Sequence, residues 1–203
     1  MQESLSDARG NAMKKQPAIT EQTKQNLMDA FWSYYARKKI EQITVKQITE
    51  KAGYNRGTFY EYVSDVYDVL EQIENALIPT IDELPPLQNP ASETGMVQLN
   101  LFIKLYEKNN RYYAVLLGEN GDPAFAGKLK RAVKPMLGAA LFSNGISRIE
   151  TDYLLEIMLS AMIGILGYWF EQNQNLPAEK LIALVYDFMS GKMMQSLQRL
   201  ADR

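Results

Sequence analysis

Side chains suited to contacting nucleic acid concentrate in one short segment, residues 43–70. Thr44 stands before an apolar-periodic stretch and is a good N-cap for a helix of about two turns. Gly53 can supply the positive φ of a tight turn, and Asn55 can cap a second helix that runs to Tyr62. Two short helices joined in this way are typical of the helix-turn-helix, whose second helix enters the major groove of DNA.

The apolar pattern predicts the helices that must position this segment. A first helix is predicted from Thr20 to Lys39, and a linking helix is predicted to be capped near Asp65 and to end by Pro79. The proline-rich segment 84–90 is the clearest breaker in the chain. The predicted organisation is a disordered tail at 1–17, a helix-turn-helix head with its linking helix at 18–80, and a helical body at 81–203.

Beyond the breaker the apolar spacing stays helical. Helices are predicted from Val97 to Tyr106, from Tyr112 to Leu117, from Phe125 to Phe142 with a break at Pro135, and over about 150–173 and 177–200. No stretch alternates apolar and polar residues as a half-buried strand would. The sequence therefore predicts an all-α protein.

Composition excludes several function classes. The chain of 203 residues has no cysteine and no histidine, which removes disulfides, thiolate nucleophiles, the usual zinc ligands and histidine acid–base catalysis. It also lacks a glycine-rich phosphate loop and a nucleophile elbow, so neither an enzyme nor a cofactor or metal is expected. The longest uncharged apolar stretch, Ile157–Phe170, has fourteen residues and is too short to span a bilayer. We expect a cytoplasmic protein that does not enter the membrane.

Charge is unevenly distributed along the chain. Residues 1–63 hold 10 Lys/Arg and 7 Asp/Glu, a net of +3, which leaves −5 for the remainder of a chain whose total is −2. A basic head on an acidic body suits a protein that presents one end to nucleic acid, although so small an asymmetry also arises by chance.

The segment Ile43–Leu70 resembles the DNA-binding domain of TetR-type transcriptional regulators. The resemblance is strongest from Ile43 to Ile48, at Ala52-Gly53 and from Arg56 to Tyr62, and with the preceding helix it covers roughly residues 20–75. It implies a three-helix head, a fourth linking helix, and a helical body that binds an effector and dimerises. The segment Ser64–Glu74 is also similar to a subgroup that includes activators of dihydroxyacetone kinase genes, which act with a protein co-regulator.

The resemblance implies a set of DNA contacts. Thr44 would contact a phosphate, Tyr60 and Tyr62 would place their hydroxyls on the backbone, Arg56 could bind guanine O6 and N7, and Thr58 could meet a thymine methyl. The residues expected to contact DNA are Thr44, Lys46, Tyr54, Asn55, Arg56, Gly57, Thr58, Tyr60 and Tyr62. Lys51 could add long-range attraction. The alternative for Arg56 is a solvated surface charge.

This sequence departs from the family pattern at the start of the linking helix. Family members usually carry Phe at the place of Val63 and Lys at the place of Val66. The lysine usually supplies a phosphate contact. Asp65 and Asp68 suit a helix N-terminus but would not suit a neighbouring phosphate.

Two residue sets in the body are candidates for binding. Aromatic side chains could line an effector cavity, although aromatics at helical spacing are also typical of a simple core: Tyr106, Tyr112, Tyr113, Phe125 and Trp169. Apolar stripes on the last two helices could form a symmetric four-helix interface or be buried internally: Leu155, Met158, Met162, Ile165, Trp169, Leu181, Leu184 and Phe188.

The sequence thus predicts a homodimeric regulator that reads a palindromic operator in double-stranded DNA, under the control of a small-molecule effector or a co-regulator protein. The alternative is a protein-interaction module whose helix-turn-helix no longer reads DNA. The sequence leaves open the operator, the effector, and whether binding represses or activates.

Overall fold

The structure, a computed structural model, describes residues 17–80, 108–118, 121–141 and 147–189. These residues form helices and turns, and none of them lies in a strand, so the all-α prediction is confirmed. The elements are α1 (Pro17–Tyr35), a 3-10 helix (Ile40–Gln42), α2 (Val45–Ala52), α3 (Arg56–Tyr60), α4 (Val66–Leu77), α5 (Asn110–Leu116), α6 (Pro123–Leu141), α7 (Arg148–Glu171) and α8 (Ala178–Met189).

The chain divides into two compact units. The first ends at Ile73 and the second begins at Glu74, so the division falls within α4. The proline-rich segment at 84–90, where we expect a domain boundary, lies outside the described residues. So do Tyr106 with its predicted helix, the tail at 1–16, and the part of the last predicted helix that follows residue 189.

In the first unit, α1 packs against α2 and α2 against α3. The buried side chains that form this core are Leu27, Phe31, Trp32, Tyr35, Ile43, Ile48, Phe59, Val63, Val69, Leu70 and Ile73. The bounds predicted for α1 were wrong at both ends. The helix begins at Pro17, whose fixed φ suits a first helical turn. It ends at Tyr35, after which the Arg37 amide bonds to the Tyr34 carbonyl and tightens the turn.

In the second unit, α7 packs against both α5 and α6. Gly167 permits the approach to the end of α5, because a Cβ there would lie 3.1 Å from the Leu117 carbonyl oxygen. The helix that was expected to break at Pro135 instead continues through it to Leu141. The buried apolar residues of this unit are Leu77, Tyr113, Leu116, Phe125, Leu129, Val133, Leu155, Leu159, Leu166, Trp169, Phe170, Leu181 and Ile182.

By length and composition alone, α7 is apolar enough to cross a membrane. Two of its acidic residues nevertheless form ion pairs within the unit, since Lys134 of α6 contacts Asp152 at 2.9 Å and Glu156 at 3.3 Å. Lys130 lies 2.5 Å from Glu156. The hydrogen bonds from these two lysines lower the pKa of Glu156. These ion pairs, together with the buried side chains on one face of α7, are typical of a helix that packs within a folded unit.

The end of α4 carries a buried ion pair. The Glu74 side chain is 0 % exposed, and its Oε2 accepts a hydrogen bond from Lys128 Nζ of α6 at 2.5 Å. Burial raises the pKa of Glu74 and the neighbouring Asp122 raises it further, whereas the hydrogen bond from Lys128 lowers it. Burial is the largest of these effects, so the net direction is upward.

We expect the contribution of Glu74 to the free energy of unfolding to decrease as the pH rises. Because the folded pKa lies above the ordinary value of 4.5, the folded chain binds more protons at this site than the unfolded chain. The stabilisation is therefore complete below that ordinary value and is lost as the pH rises through the raised pKa. A Glu74→Gln variant lacks this dependence, so its stability relative to the parent chain should increase across the same window.

Urea unfolding of both proteins from about pH 4 to about pH 8 measures this difference. Trp169 is buried in the second unit and gives a local fluorescence signal once Trp32 of the first unit is replaced by Phe. A difference between the two proteins that does not vary with pH, or that varies in the opposite sense, would contradict the assignment.

Candidate DNA-binding interface

The first helix of the helix-turn-helix, α2, is fixed by a capping box. The Thr44 hydroxyl accepts a hydrogen bond from the Gln47 amide at 3.3 Å, and the Gln47 side chain accepts one from the Thr44 amide at 3.0 Å. This arrangement satisfies donors that a helix N-terminus leaves open. Thr44 is exposed, so its side chain lies at the surface where a phosphate contact is expected.

Gly53 makes the turn between α2 and α3. It adopts φ 76 and ψ 27, in the left-handed region, and its amide bonds to the Thr49 carbonyl. A Cβ built on Gly53 would meet no atom within 4 Å. The glycine is therefore required by its backbone conformation and not by a lack of space.

A Gly53→Ala variant should destabilise the first unit by about 1–2 kcal/mol, the cost of a left-handed conformation for a residue with a Cβ. Gly53→Asn should cost less, because asparagine tolerates this region better. Urea unfolding followed through Trp32, with Trp169 replaced by Phe, reports on the unit that contains the turn. Equal stability of the alanine variant and the parent chain would show that the turn relaxes to a different conformation.

The second helix, α3, is capped by Asn55. Its Oδ1 accepts a hydrogen bond from the Thr58 amide at 2.8 Å. Gly57 leaves room for this cap, since a Cβ there would lie 3.1 Å from Asn55 Oδ1. Phe59 is fully buried and anchors the helix, whereas Arg56 is exposed and Tyr60 is 58 % exposed. Because Phe59 is anchored in the core, the helix exposes the Arg56 guanidinium and the Tyr60 phenol to solvent.

The predicted contact residues do not all share this surface. Asn55, Arg56, Gly57 and Tyr60 are exposed, and Thr58 is half-buried. Tyr54, expected at the base edges, is half-buried, and its hydroxyl accepts a hydrogen bond from Asn26 of α1 at 2.9 Å. Tyr62 is also half-buried, and its carbonyl accepts a bond from Gln72.

The nearby lysines have weak local contacts. Lys46 lies 3.7 Å from Glu50, and both side chains are largely exposed, so this pair contributes little to stability. Lys51 and Lys38 lie over the ring of Tyr34, at 5.3 Å and 5.7 Å from its centroid. All three positive charges therefore remain at the surface of the head.

The N-terminus of α4 is closed by its own carboxylates. Asp65 Oδ1 accepts hydrogen bonds from the Tyr67 and Asp68 amides at 2.8 Å each. Asp68 accepts bonds from Gln72 and from the Ser64 amide, and these bonds lower its pKa. The helix end at which a family lysine usually contacts phosphate thus carries two satisfied anions in this chain.

The body aromatics expected to bind an effector are mostly packed. Tyr113 and Phe125 are buried with ring centroids 6.0 Å apart, and the Tyr113 hydroxyl donates to the Leu77 carbonyl at 2.6 Å. The Trp169 indole donates to the Leu176 carbonyl at 2.7 Å. Tyr112 is half-buried beside Arg111, whose guanidinium lies 4.6 Å from its ring centroid.

The predicted dimer residues divide between core and surface. Leu155, Trp169 and Leu181 are buried inside the second unit. Met158, Met162 and Ile165 are half-buried, and Leu184 and Phe188 are 48 % and 54 % exposed.

A different face of α7 is more exposed, and the sequence reasoning missed it. Its large apolar side chains are Ile149, Tyr153, Leu154, Ile157 and Tyr168. The four-residue spacing of Ile149, Tyr153 and Ile157 was visible in the sequence. Because α7 is apolar on both faces, periodicity did not indicate which face points outward.

Comparisons with known proteins agree with this architecture. Residues 97–191 match the TetR-type family model described as a transcriptional regulator C-terminal region. No curated protein matches the chain. Among solved structures, a TetR transcriptional regulator from Streptococcus agalactiae 2603V shares 23 % identity with a TM-score of 0.61, over 83 % of this chain and 93 % of its own.

Two further solved structures have the same fold. The dihydroxyacetone kinase operon activator DhaS shares 19 % identity with a TM-score of 0.56, over 85 % of this chain and 96 % of its own. The fatty acid degradation regulator FadR from Bacillus halodurans shares 17 % identity with a TM-score of 0.62, over 86 % of this chain and 95 % of its own. The resemblance first noted in the helix-turn-helix is therefore confirmed: residues 97–191 match the C-terminal region of TetR-type transcriptional regulators, and the chain has the fold of solved regulators of this type.

Proposed function

We propose that this chain is a cytoplasmic, sequence-specific regulator that binds a palindromic operator as a homodimer and responds to an effector or a co-regulator. The observation that carries the proposal is the arrangement of α3. Phe59 fixes the helix in the core while Arg56 and Tyr60 project into solvent. A short, rigid helix with an exposed cation at its first turn suits insertion into a major groove.

Within the groove, each side chain has a distinct task. Arg56 binds guanine O6 and N7 and supplies sequence discrimination. Thr44 and Lys46 at the start of α2, with Tyr60 on α3, contact the phosphate backbone and fix the register. Because Tyr54 bonds to Asn26, its contribution is to hold the turn against α1 and not to read bases.

The exposed apolar face of α7 supports dimerisation. Ile149 is 73 % exposed, Tyr153 69 %, Ile157 65 % and Tyr168 59 %. Leu184 and Phe188 of α8 are also exposed, at 48 % and 54 %. A monomer would leave these apolar side chains in contact with water. A two-fold symmetric contact covers such a surface on both copies at once. The paired heads then bind half-sites separated by about 34–36 Å or a multiple of it.

The experiment that tests this function is a selection from a library of random duplex DNA. We expect enrichment of one palindrome, with two protein chains bound per duplex by native mass spectrometry. A folded dimer that enriches no sequence would overturn sequence-specific binding.

One observation favours a second candidate, a protein-interaction module that no longer reads DNA. Val66 replaces the usual lysine, and the Asp65 and Asp68 carboxylates occupy the N-terminus of α4. These changes remove one phosphate contact from each head but leave the surface of α3 intact. We therefore propose DNA binding as the primary function, with a co-regulator protein as an additional partner.

A further inference from the structure

A tyrosine near the end of α1 holds two lysine side chains at the surface of the head. The Nζ atoms of Lys38 and Lys51 lie 5.7 Å and 5.3 Å from the centroid of the Tyr34 ring. A cation over an aromatic ring is attracted by the negative charge of the ring face. The ring therefore brings together two positive charges from different segments, the turn after α1 and the last turn of α2.

Among the residues that the structure describes, no carboxylate forms an ion pair with either of these lysines. Both residues are exposed, so an anion in solution can reach them. Because both distances are measured to one centroid, the two ammonium groups lie no further apart than the sum of those distances. Like charges at such a separation repel each other, and a bound anion relieves the repulsion.

The lysine pair shares a helix face with the cap that is proposed to meet the DNA backbone. The Gln47 side chain accepts the hydrogen bond from the Thr44 amide, and Lys51 is four residues after Gln47. Residues four apart lie on the same face of a helix. Each strand of duplex DNA carries one phosphate per about 3.4 Å of helix axis. Two ammonium groups around one ring can therefore meet neighbouring phosphates of a single strand.

From these observations we infer that Lys38 and Lys51, held by Tyr34, form a further phosphate-binding site in each head, which binds duplex DNA independently of its sequence. This inference rests on the proposed DNA-binding function and adds to the phosphate contacts proposed at the start of α2 and on α3. Lysine binds phosphate as a point charge, so the position of each ammonium group matters more than the direction of its hydrogen bonds. Tyr34 is thus a positioning residue, and its loss should weaken binding although no charge changes.

The salt dependence of binding to a duplex of arbitrary sequence counts the phosphates that the whole protein neutralises. Fluorescence anisotropy with a labelled duplex gives the affinity at several salt concentrations. Lys38→Gln and Lys51→Gln should each make the slope of log K against log salt shallower by about 0.9 for every head that is bound. The matched control is Lys39→Gln, which removes the same charge from the neighbouring exposed position. The control should keep the slope of the parent chain.

Substitutions of Tyr34 separate a built site from diffuse attraction by the basic head. Tyr34→Leu keeps every charge but removes the ring, so the two long side chains must become ordered on binding. We expect the affinity for the duplex to fall by about 5-fold. Tyr34→Phe keeps an aromatic face and should bind within about two-fold of the parent chain. The thermal midpoint of each variant shows whether it is folded, and the lysine variants decide the question if Tyr34→Leu is not.

The inference would be overturned if Lys39→Gln changed the slope as much as Lys38→Gln and Lys51→Gln, since the attraction would then be diffuse. It would also be overturned if the two lysine variants kept the slope of the parent chain, or if a folded Tyr34→Leu chain bound as tightly as the parent. In each of these cases the parent chain still binds DNA and the proposed function stands. A parent chain that binds no duplex would remove both proposals.

Discussion

An Arg56→Glu variant should bind the selected operator on the order of 100-fold more weakly, or not at all. The change removes a bidentate base contact worth about 1–3 kcal/mol and places a carboxylate against the phosphates. The fold should be unaffected, because Arg56 is exposed at the first position of α3. An acidic residue at that position is favourable to the helix dipole.

Fluorescence anisotropy with labelled operator measures the affinity. The matched control is Arg131→Glu, which makes the same charge change at an exposed position of α6 in the second unit. The control should bind as the parent chain does. If Arg56→Glu binds the operator as tightly as the parent chain and its thermal midpoint is unchanged, α3 does not contact the DNA.

An Ile157→Glu variant should convert the dimer to a monomer. Ile157 is 65 % exposed in the single chain and lies in the middle of the apolar face of α7. Burying such a side chain contributes about 1.5–3 kcal/mol, and two-fold symmetry counts it twice. The variant also places two carboxylates in the interface, whose burial adds a further cost. Operator affinity should fall as well, because one head alone contacts one half-site.

Light scattering coupled to size-exclusion chromatography gives the mass in solution. Tyr67→Glu is the control for oligomeric state, since Tyr67 is 54 % exposed but belongs to the first unit. It should remain a dimer. If Ile157→Glu also remains a dimer, the chains associate through another surface and the half-buried Met158 and Met162 become the next positions to test.

The head could be predicted because its signals are local. The caps Thr44 and Asn55 and the left-handed Gly53 lie within a few residues of the groups that they satisfy. Each of these local features therefore requires a particular residue type at a fixed position, and that residue can be recognised in the sequence. The ends of α1 were predicted less well, since the helix begins at Pro17 and ends at Tyr35 and not at Thr20 and Lys39.

The body was less predictable because its determinants are distant in sequence. Glu74 and Lys128 are separated by 54 positions, and nothing in either segment indicates the other. The two faces of α7 have similar hydrophobicity, so only packing distinguishes the buried Leu155 from the exposed Ile157. Tyr54 has the position of a base-reading residue, and its bond to Asn26 appears only once α1 is placed.

The salt dependence of operator affinity tests most directly whether this chain acts on DNA. Each phosphate neutralised lowers log K by about 0.9 per unit of log salt. Two heads with at least two phosphate contacts each should therefore give a slope of about −3.6 or steeper. A slope near zero for the parent chain would contradict DNA binding through the basic head and would favour the protein-interaction module.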